Sequence, residues 1–120
     1  MNRAQHRALL LAAVLLVGAC TPIGKMSHDM DNAIRSASTK ADHETLAAHY
    51  EEEAKALQAK AVKHEDLAKA YTQLSQSDVT RNSADMAKHC ATLASTYRQA
   101  AAENLALAKE HHESAAAAPK

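Results

Sequence analysis

The feature that most constrains the fold is a stretch without glycine or proline, which runs from residue 25 to residue 118. Alanine, glutamate, lysine, glutamine and leucine dominate this stretch, and these residues have the highest helix propensities. Large apolar side chains are few, since the chain has no tryptophan, no phenylalanine and three tyrosines. The stretch therefore predicts long helices that bury little apolar surface per residue, and it argues against a globular core.

A seven-residue repeat runs through the first half of this stretch. One column of the repeat carries mostly ring-bearing side chains, and the column four residues later carries small ones: His43, Tyr50, Leu57, His64 and Tyr71, then Ala47, Ala54, Ala61, Ala68 and Ser75. A heptad repeat sustained in this way predicts a left-handed packing seam. We predict helix A from about residue 41 to residue 76, started by a capping pair of Thr39 and Asp42.

The repeat returns after a polar segment. Residues 75–82 have weak helix propensity and predict a turn, and Asn82 with Asp85 supplies a helix start signal. Helix B is predicted from about residue 83 to residue 113. Its three columns are Met86, Leu93, Ala100 and Leu107; Cys90, Tyr97, Asn104 and His111; and Ala87, Ala94, Ala101 and Ala108.

Both helices thus carry alanine at every seventh residue beside a column of larger side chains. Small residues at this spacing let two antiparallel backbones approach closely, while the larger side chains beside them cover the flanks of the contact. The predicted fold is all-α, a long antiparallel helical hairpin over residues 41–114 with a heptad alanine seam. Because few leucines enter the seam, we expect a partner, most simply a second copy that completes a four-helix bundle. Residues 115–120 are predicted to be a disordered tail.

The N-terminus has the form of a secretory signal. Arg3 and Arg7 precede an apolar run that is too short to span a bilayer and that ends in small residues before a cysteine. The segment Val17-Gly18-Ala19-Cys20 resembles the lipobox of bacterial prolipoproteins. That resemblance implies removal of residues 1–19 as a signal peptide and acylation of Cys20.

The resemblance implies a location and no activity. Acyl chains that each stabilise attachment by about 0.8 kcal/mol per buried CH₂ hold a protein to a membrane almost permanently when two or three are present. Thr21 stands where aspartate marks inner-membrane retention in Gram-negative bacteria, which favours the outer membrane, facing the periplasm. Residues 20–40 are predicted to be a lipidated tether with a short helix at about residues 28–37.

Charge excludes nucleic acid as a partner. Of the 14 Lys and Arg residues, Arg3 and Arg7 lie in the predicted signal peptide, so 12 remain against 14 Asp and Glu. A net charge near −2 gives no electrostatic footprint for nucleic acid and no polybasic patch for lipid head groups. Membrane attachment is therefore expected through the N-terminal lipid alone.

Histidine is the main chemical clue in the mature chain, because imidazole titrates near neutrality and is the commonest transition-metal ligand. Seven histidines remain after processing: His28, His43, His49, His64, His89, His111 and His112. If the hairpin turns at residue 78 or 79, residues whose numbers sum to about 157 lie opposite each other. This register predicts two candidate copper or zinc sites. One comprises His64, Met86, His89 and Cys90, and the other comprises His43, His49, His111 and His112. The alternative is that these histidines fill seam positions or face solvent.

Other site motifs are missing or weak. The sequence has no C-x-x-C or H-E-x-x-H motif, and no acidic residue lies three positions before a histidine of either helix, as a di-iron centre would need. A thioether, an imidazole and a second thioether, which all suit copper, stand at alternate positions in Met26, His28 and Met30. The other interpretation is that Met26 belongs to the tether and Met30 packs on the hairpin. Cys90 is the single thiol left after lipidation and is a disulfide partner, a metal ligand or a buried inert thiol. Its column favours burial.

Catalysis is not expected, because a hairpin of two helices offers no walled pocket to exclude water and position a substrate. We therefore expect a lipid-anchored cell-envelope protein that acts as a structural or interaction module and is not an enzyme. One alternative is a periplasmic copper- or zinc-binding lipoprotein. Another is an envelope pH or stress sensor in which histidine protonation loosens the seam.

Overall fold

The computed structural model describes the backbone of residues 23–77 and 82–119, and the side chains of residues 29–77 and 82–119. Within these ranges the chain forms three helices, α1 (Ile23–Ser36), α2 (Lys40–Gln76) and α3 (Ser83–Ala117). Helices α2 and α3 pack against each other as an antiparallel hairpin, and α1 contacts α2. The predicted all-α hairpin is confirmed. The predicted signal peptide and Cys20 lie outside the described residues.

The start of α2 is fixed by a capping box. Thr39 Oγ1 accepts a hydrogen bond from the Asp42 backbone N–H at 3.2 Å. The Asp42 carboxylate accepts from the backbone N–H groups of Ser38 and Thr39, at 3.1 and 2.9 Å. These bonds from Ser38 and Thr39 lower the pKa of Asp42, because they stabilise the ionised carboxylate. The predicted capping pair is confirmed. Helix α3 also begins where predicted, although the Asn82 side chain makes no cap hydrogen bond.

The seam of the hairpin is built from alanine. The fully buried members of its small columns are 0–4% exposed: Ala47, Ala54 and Ala61 on α2, and Ala94, Ala101, Ala108 and Ala115 on α3. The ring-bearing columns beside them are half-buried. Burying one methyl group stabilises by only about 0.8 kcal/mol, so each seam layer contributes little. The stability of the hairpin must therefore accumulate over many thin layers.

Helix α3 extends beyond its predicted end. Residues 115–117 are helical, and Ala115 is 4% exposed. Ala115 follows Ala108 by seven residues, so it continues the alanine column and packs in the seam. The prediction of a disordered tail from residue 115 is therefore wrong for residues 115–117.

Helix α1 is longer than the short helix predicted at residues 28–37, since it begins at Ile23. Met30 and Ala33 share a cleft with Leu46 and His49 of α2. Leu46 is 2% exposed, and it is the one leucine that is buried among the described residues. Packing of Met30 on the hairpin, one of the two interpretations of that residue, agrees with this cleft.

Ring contacts fix the register between α2 and α3. Tyr50 stacks on His111, and His64 stacks on Tyr97. In both pairs the residue numbers sum to 161, whereas in the contact between His43 and His111 they sum to 154, so the ring contacts lie on either side of the predicted sum of about 157. His111 therefore lies between His43 and Tyr50, which are seven residues apart on α2.

Candidate functional site

The open end of the hairpin, where α2 begins and α3 ends, holds a cluster of rings that we call the open-end cluster: His43, His49, Tyr50 and His111. The Nδ1 atoms of His43 and His111 lie 3.1 Å apart. Tyr50 stacks on His111 with ring centroids 5.6 Å apart and planes 10° apart. His49 meets Tyr50 edge-on at 5.6 Å. One imidazole in the Nδ1–Nδ1 pair must carry a proton and donate it to the other.

The pKa of His111 responds to its surroundings. Burial of His111 lowers its pKa, and the neighbouring His43 lowers it further, while Glu110 acts in the opposite direction. Neutral His111 is therefore favoured in the folded hairpin, where it exchanges a single hydrogen bond with His43. If both imidazoles were protonated, both Nδ1 atoms would be donors, and the hydrogen bond would be lost.

A second ring pair lies at the middle of the seam. His64 stacks on Tyr97 with centroids 5.4 Å apart and planes 29° apart. Lys60 Nζ lies 5.8 Å from the Tyr97 ring centroid, within range of a cation–π interaction. Within the described part of the chain, His64 Nδ1 is buried without a hydrogen-bond partner.

Polar side chains bridge the two helices along one flank, which we call the bridged flank. His112 Nε2 lies 3.0 Å from Glu51 Oε1, and Arg98 forms an ion pair with Glu65. All four side chains are at least one-third exposed, so these contacts contribute little to stability. The two pairs have the same spacing along the hairpin, because their residue numbers sum to 163 in both.

The first predicted metal set does not come together. His64 faces Tyr97, whereas Cys90 lies seven residues before Tyr97 on α3, about 10 Å away along the axis. Cys90 is a buried free thiol, Met86 is 43% exposed, and His89 is exposed. The four residues therefore point to different parts of the surface and the seam.

The second predicted set comes together in part. His43 and His111 are in contact, but His49 faces Tyr50 and the α1 cleft, and His112 faces Glu51. Adjacent helical residues point about 100° apart, so His111 and His112 cannot both face one point in the seam. Across residues 29–77 and 82–119, no group of three or more His, Cys, Asp or Glu side chains is arranged to hold a metal ion. The side chains of Met26 and His28 lie outside the described set.

The structure also has an exposed apolar surface that the sequence analysis did not identify. Its members are 37–43% exposed, and we call them the turn-half apolar face: Leu67, Leu74, Met86 and Leu93. Each of them immediately precedes a small residue of the seam columns. That position was the available signal, because a residue just before a seam residue lies at the edge of the seam and is only partly covered.

Comparison of the chain with protein-family models, with curated proteins and with solved structures finds no match. None of the helices in the described ranges is both long enough and apolar enough to cross a membrane.

Proposed function

We propose that this protein is a lipid-anchored component of a bacterial cell envelope whose helical hairpin acts as a structural or interaction module and not as an enzyme. The observation that carries the proposal is the turn-half apolar face. Four large apolar side chains are exposed on one part of a hairpin whose described core buries a single leucine. Apolar side chains that are clustered on a surface in this way are typical of sites that contact another molecule.

A partner would add stability because the alanine seam buries little apolar surface. Fully burying one leucine side chain stabilises by about 1.5–3 kcal/mol, which is more than a seam alanine contributes. Covering Leu67, Leu74, Met86 and Leu93 would therefore add stabilisation comparable with that of several seam layers. A partner that covers this face would both bind the hairpin and stabilise it.

The anchor is supported by the N-terminal sequence. Arg3 and Arg7, the apolar run and the segment Val17-Gly18-Ala19-Cys20 resemble a prolipoprotein signal. Thr21 favours the outer membrane, with the hairpin facing the periplasm. The acyl chains on Cys20 would supply the membrane contact, and the hairpin would supply the contact with the partner.

The anchor is tested by fractionating cells that express the full chain. We expect the wild-type protein in the membrane fraction, with a mature N-terminus at an acylated Cys20 in its mass spectrum. Cys20→Ser should move the protein out of that fraction, while Cys90→Ser, which alters the buried thiol, should leave it there. Membrane association of Cys20→Ser equal to that of the wild type would refute lipid anchoring.

Metal binding is the second candidate function, and one observation favours it. The His43 and His111 Nδ1 atoms are 3.1 Å apart. Two nitrogen ligands on one tetrahedral ion, with metal–nitrogen bonds of about 2.0–2.1 Å, lie roughly 3.3 Å apart. A copper or zinc ion could replace the shared proton, with water completing its coordination. Copper and zinc both accept imidazole ligands.

Calorimetric titration of the purified full-length protein with Zn²⁺ and Cu²⁺ tests this candidate. We expect His43→Gln to weaken binding, and we expect the matched change at an exposed histidine, His89→Gln, to leave it unchanged. The metal hypothesis fails if neither ion binds more tightly than about millimolar, or if the two variants bind alike.

A further inference from the structure

We propose that the turn-half apolar face binds a second copy of this chain, with the two hairpins side by side and antiparallel. The inference rests on the proposed interaction role and names the partner for it. Three observations carry it: the position of the face on one flank, the way α1 covers the same flank at the open end, and the distribution of charge along that flank.

The face lies on the flank opposite the bridged flank. Leu67 follows Glu65 by two residues, and two residues correspond to about 200° around a helix. Glu65 forms its ion pair with Arg98 on the bridged flank, so Leu67 points to the other side. The same spacing separates Arg98 from Ala100, which follows Leu93 by seven residues. We call this second side the free flank.

Helix α1 shows what this flank accepts. Leu46, Leu67 and Leu74 belong to one heptad column of α2, at intervals of 21 and 7 residues. Leu46 lies in the cleft with Met30 and Ala33 of α1 and is 2% exposed, whereas Leu67 and Leu74 are 37% and 42% exposed. The column is thus covered by an apolar helix surface at the open end. Over the described residues it has no such cover in the turn half.

Charge selects the orientation of a second copy. Exposed basic residues of the free flank lie nearer the turn, and exposed acidic residues lie nearer the open end: Lys60 and Lys63, then Glu53, Glu103 and Glu110. Within the described part of the chain, none of the five forms an ion pair. A parallel copy would set lysine against lysine and glutamate against glutamate. An antiparallel copy, related by a two-fold axis near the level of residue 57, sets each lysine near the acidic residues of the other copy.

The same two-fold axis also matches apolar surface with apolar surface. The level of Leu67 and Leu93 in one hairpin then falls near the level of Leu46 in the second copy, where α1 lies. Ile34 of α1 is 47% exposed. Helix α2 is about 55 Å long, and a strip of that length across two helices is of the order of the 800 Å² per partner that stable dimers bury.

Disulfide crosslinking in cells that express the full-length protein tests the arrangement. The background is Cys90→Ser, with Cys20 kept for acylation. We expect co-expressed Lys63→Cys and Glu53→Cys chains to form a mixed dimer, because an antiparallel pair brings these two positions together. A chain with Lys55→Cys, whose new thiol lies on the bridged flank, is the matched control and should give no dimer.

The apolar contact is tested in the same crosslinking experiment. We expect Leu67→Lys combined with Leu93→Lys to reduce the mixed dimer by about tenfold or more, because both charges would be buried on association. Helicity of the purified variant should equal that of the wild type, since both positions are exposed in the single hairpin. Crosslinking of Lys63→Cys to itself in preference to Glu53→Cys would overturn the antiparallel arrangement.

Two further outcomes separate this inference from the proposed function. If the cysteines crosslink only to other envelope proteins, the second copy is excluded while the interaction role is retained. If no crosslink forms to any protein although the chain remains in the membrane fraction, both the dimer and the interaction role fail and the lipid anchor stands.

Discussion

The open end and the turn half of the hairpin share an alanine seam, but the side chains at the edge of that seam are covered differently in the two regions. At the open end, His43, Tyr50 and His111 form a chain of ring contacts, and α1 covers Leu46. In the turn half, Leu67 and Leu93 lie at the same edge and stay exposed. The same heptad position is therefore covered by α1 at the open end and presents an apolar surface in the turn half.

The largest loss of stability is expected from a bulky substitution in the alanine seam, which both regions share. Ala101 is 2% exposed between the two helices, and leucine at this position would force the backbones apart. We expect Ala101→Leu to lower the free energy of unfolding by about 3 kcal/mol, at the upper end of typical overpacking costs. Urea denaturation measures this. Ala102→Leu, at the exposed neighbouring position, should change stability little, and equal effects of the two changes would contradict the close alanine seam.

The next largest loss of stability is expected at Leu46, which is buried, and it is compared with the loss at Leu74, an exposed leucine of the same column. Leu46→Ala should cost about 2 kcal/mol, at the lower end for buried leucines, because its cover is a single short helix. Leu74→Ala should cost well under 1 kcal/mol in dilute protein, since Leu74 is 42% exposed. Thermal unfolding at low protein concentration compares them. A loss at Leu74 as large as that at Leu46 would mean that the turn half is already covered under those conditions.

A smaller effect is expected at the start of α2, close to the open end. Thr39→Ala removes the hydroxyl that accepts from the Asp42 N–H and should cost about 1 kcal/mol. Thr39→Ser keeps the hydroxyl and should retain most of the stability. Chemical denaturation of both variants checks the capping box, and equal losses in the two would show that the hydroxyl bond contributes nothing.

The smallest change in stability is expected from the pH, through His111 of the open-end cluster. Its pH dependence also tests the sensor hypothesis. Because the pKa of His111 is lowered below its ordinary value of 6.5, the unfolded chain binds the proton more readily than the folded hairpin does. The contribution of His111 to stability is therefore present above about pH 6.5 and is lost as the pH falls through the folded pKa. We expect unfolding free energy to decline between pH 7 and pH 5.

Substitution of single histidines shows which residue causes the decline in unfolding free energy. His111→Gln should make it shallower, whereas His89→Gln, at an exposed position of the turn half, should leave it unchanged. A decline that is the same in both variants would rule out the open-end cluster as its source.

Local sequence patterns predicted the helices and the seam well. The alanine columns identified the packed faces because burial at a heptad spacing needs only one residue type repeated. The Thr39–Asp42 box predicted the start of α2 because capping is a local interaction. The predicted end of α3 is wrong because Ala115 continues the column of Ala108, although it lies in a run of alanines that is also typical of a disordered tail.

The arrangement of side chains across the seam was not predictable in the same way. A sum of residue numbers places two side chains at similar heights along the hairpin, but it does not say which way each side chain points. His49 and His112 sum to 161, as Tyr50 and His111 do, yet His49 faces Tyr50 and the α1 cleft, and His112 faces Glu51. The apolar face is not evident from the sequence, because the column of Met86 and Leu93 flanks the seam and the heptad pattern does not show which residues of that column stay uncovered.

Oxidation of Met86 in intact cells most directly tests whether the turn-half apolar face is an interaction surface. Met86 is 43% exposed in the single hairpin, and an exposed methionine thioether oxidises readily to the sulfoxide. We predict that mild peroxide treatment oxidises Met86 more slowly in the envelope than in dilute purified protein, because a partner covers it there. Equal oxidation rates in the two settings would contradict the proposed interaction role.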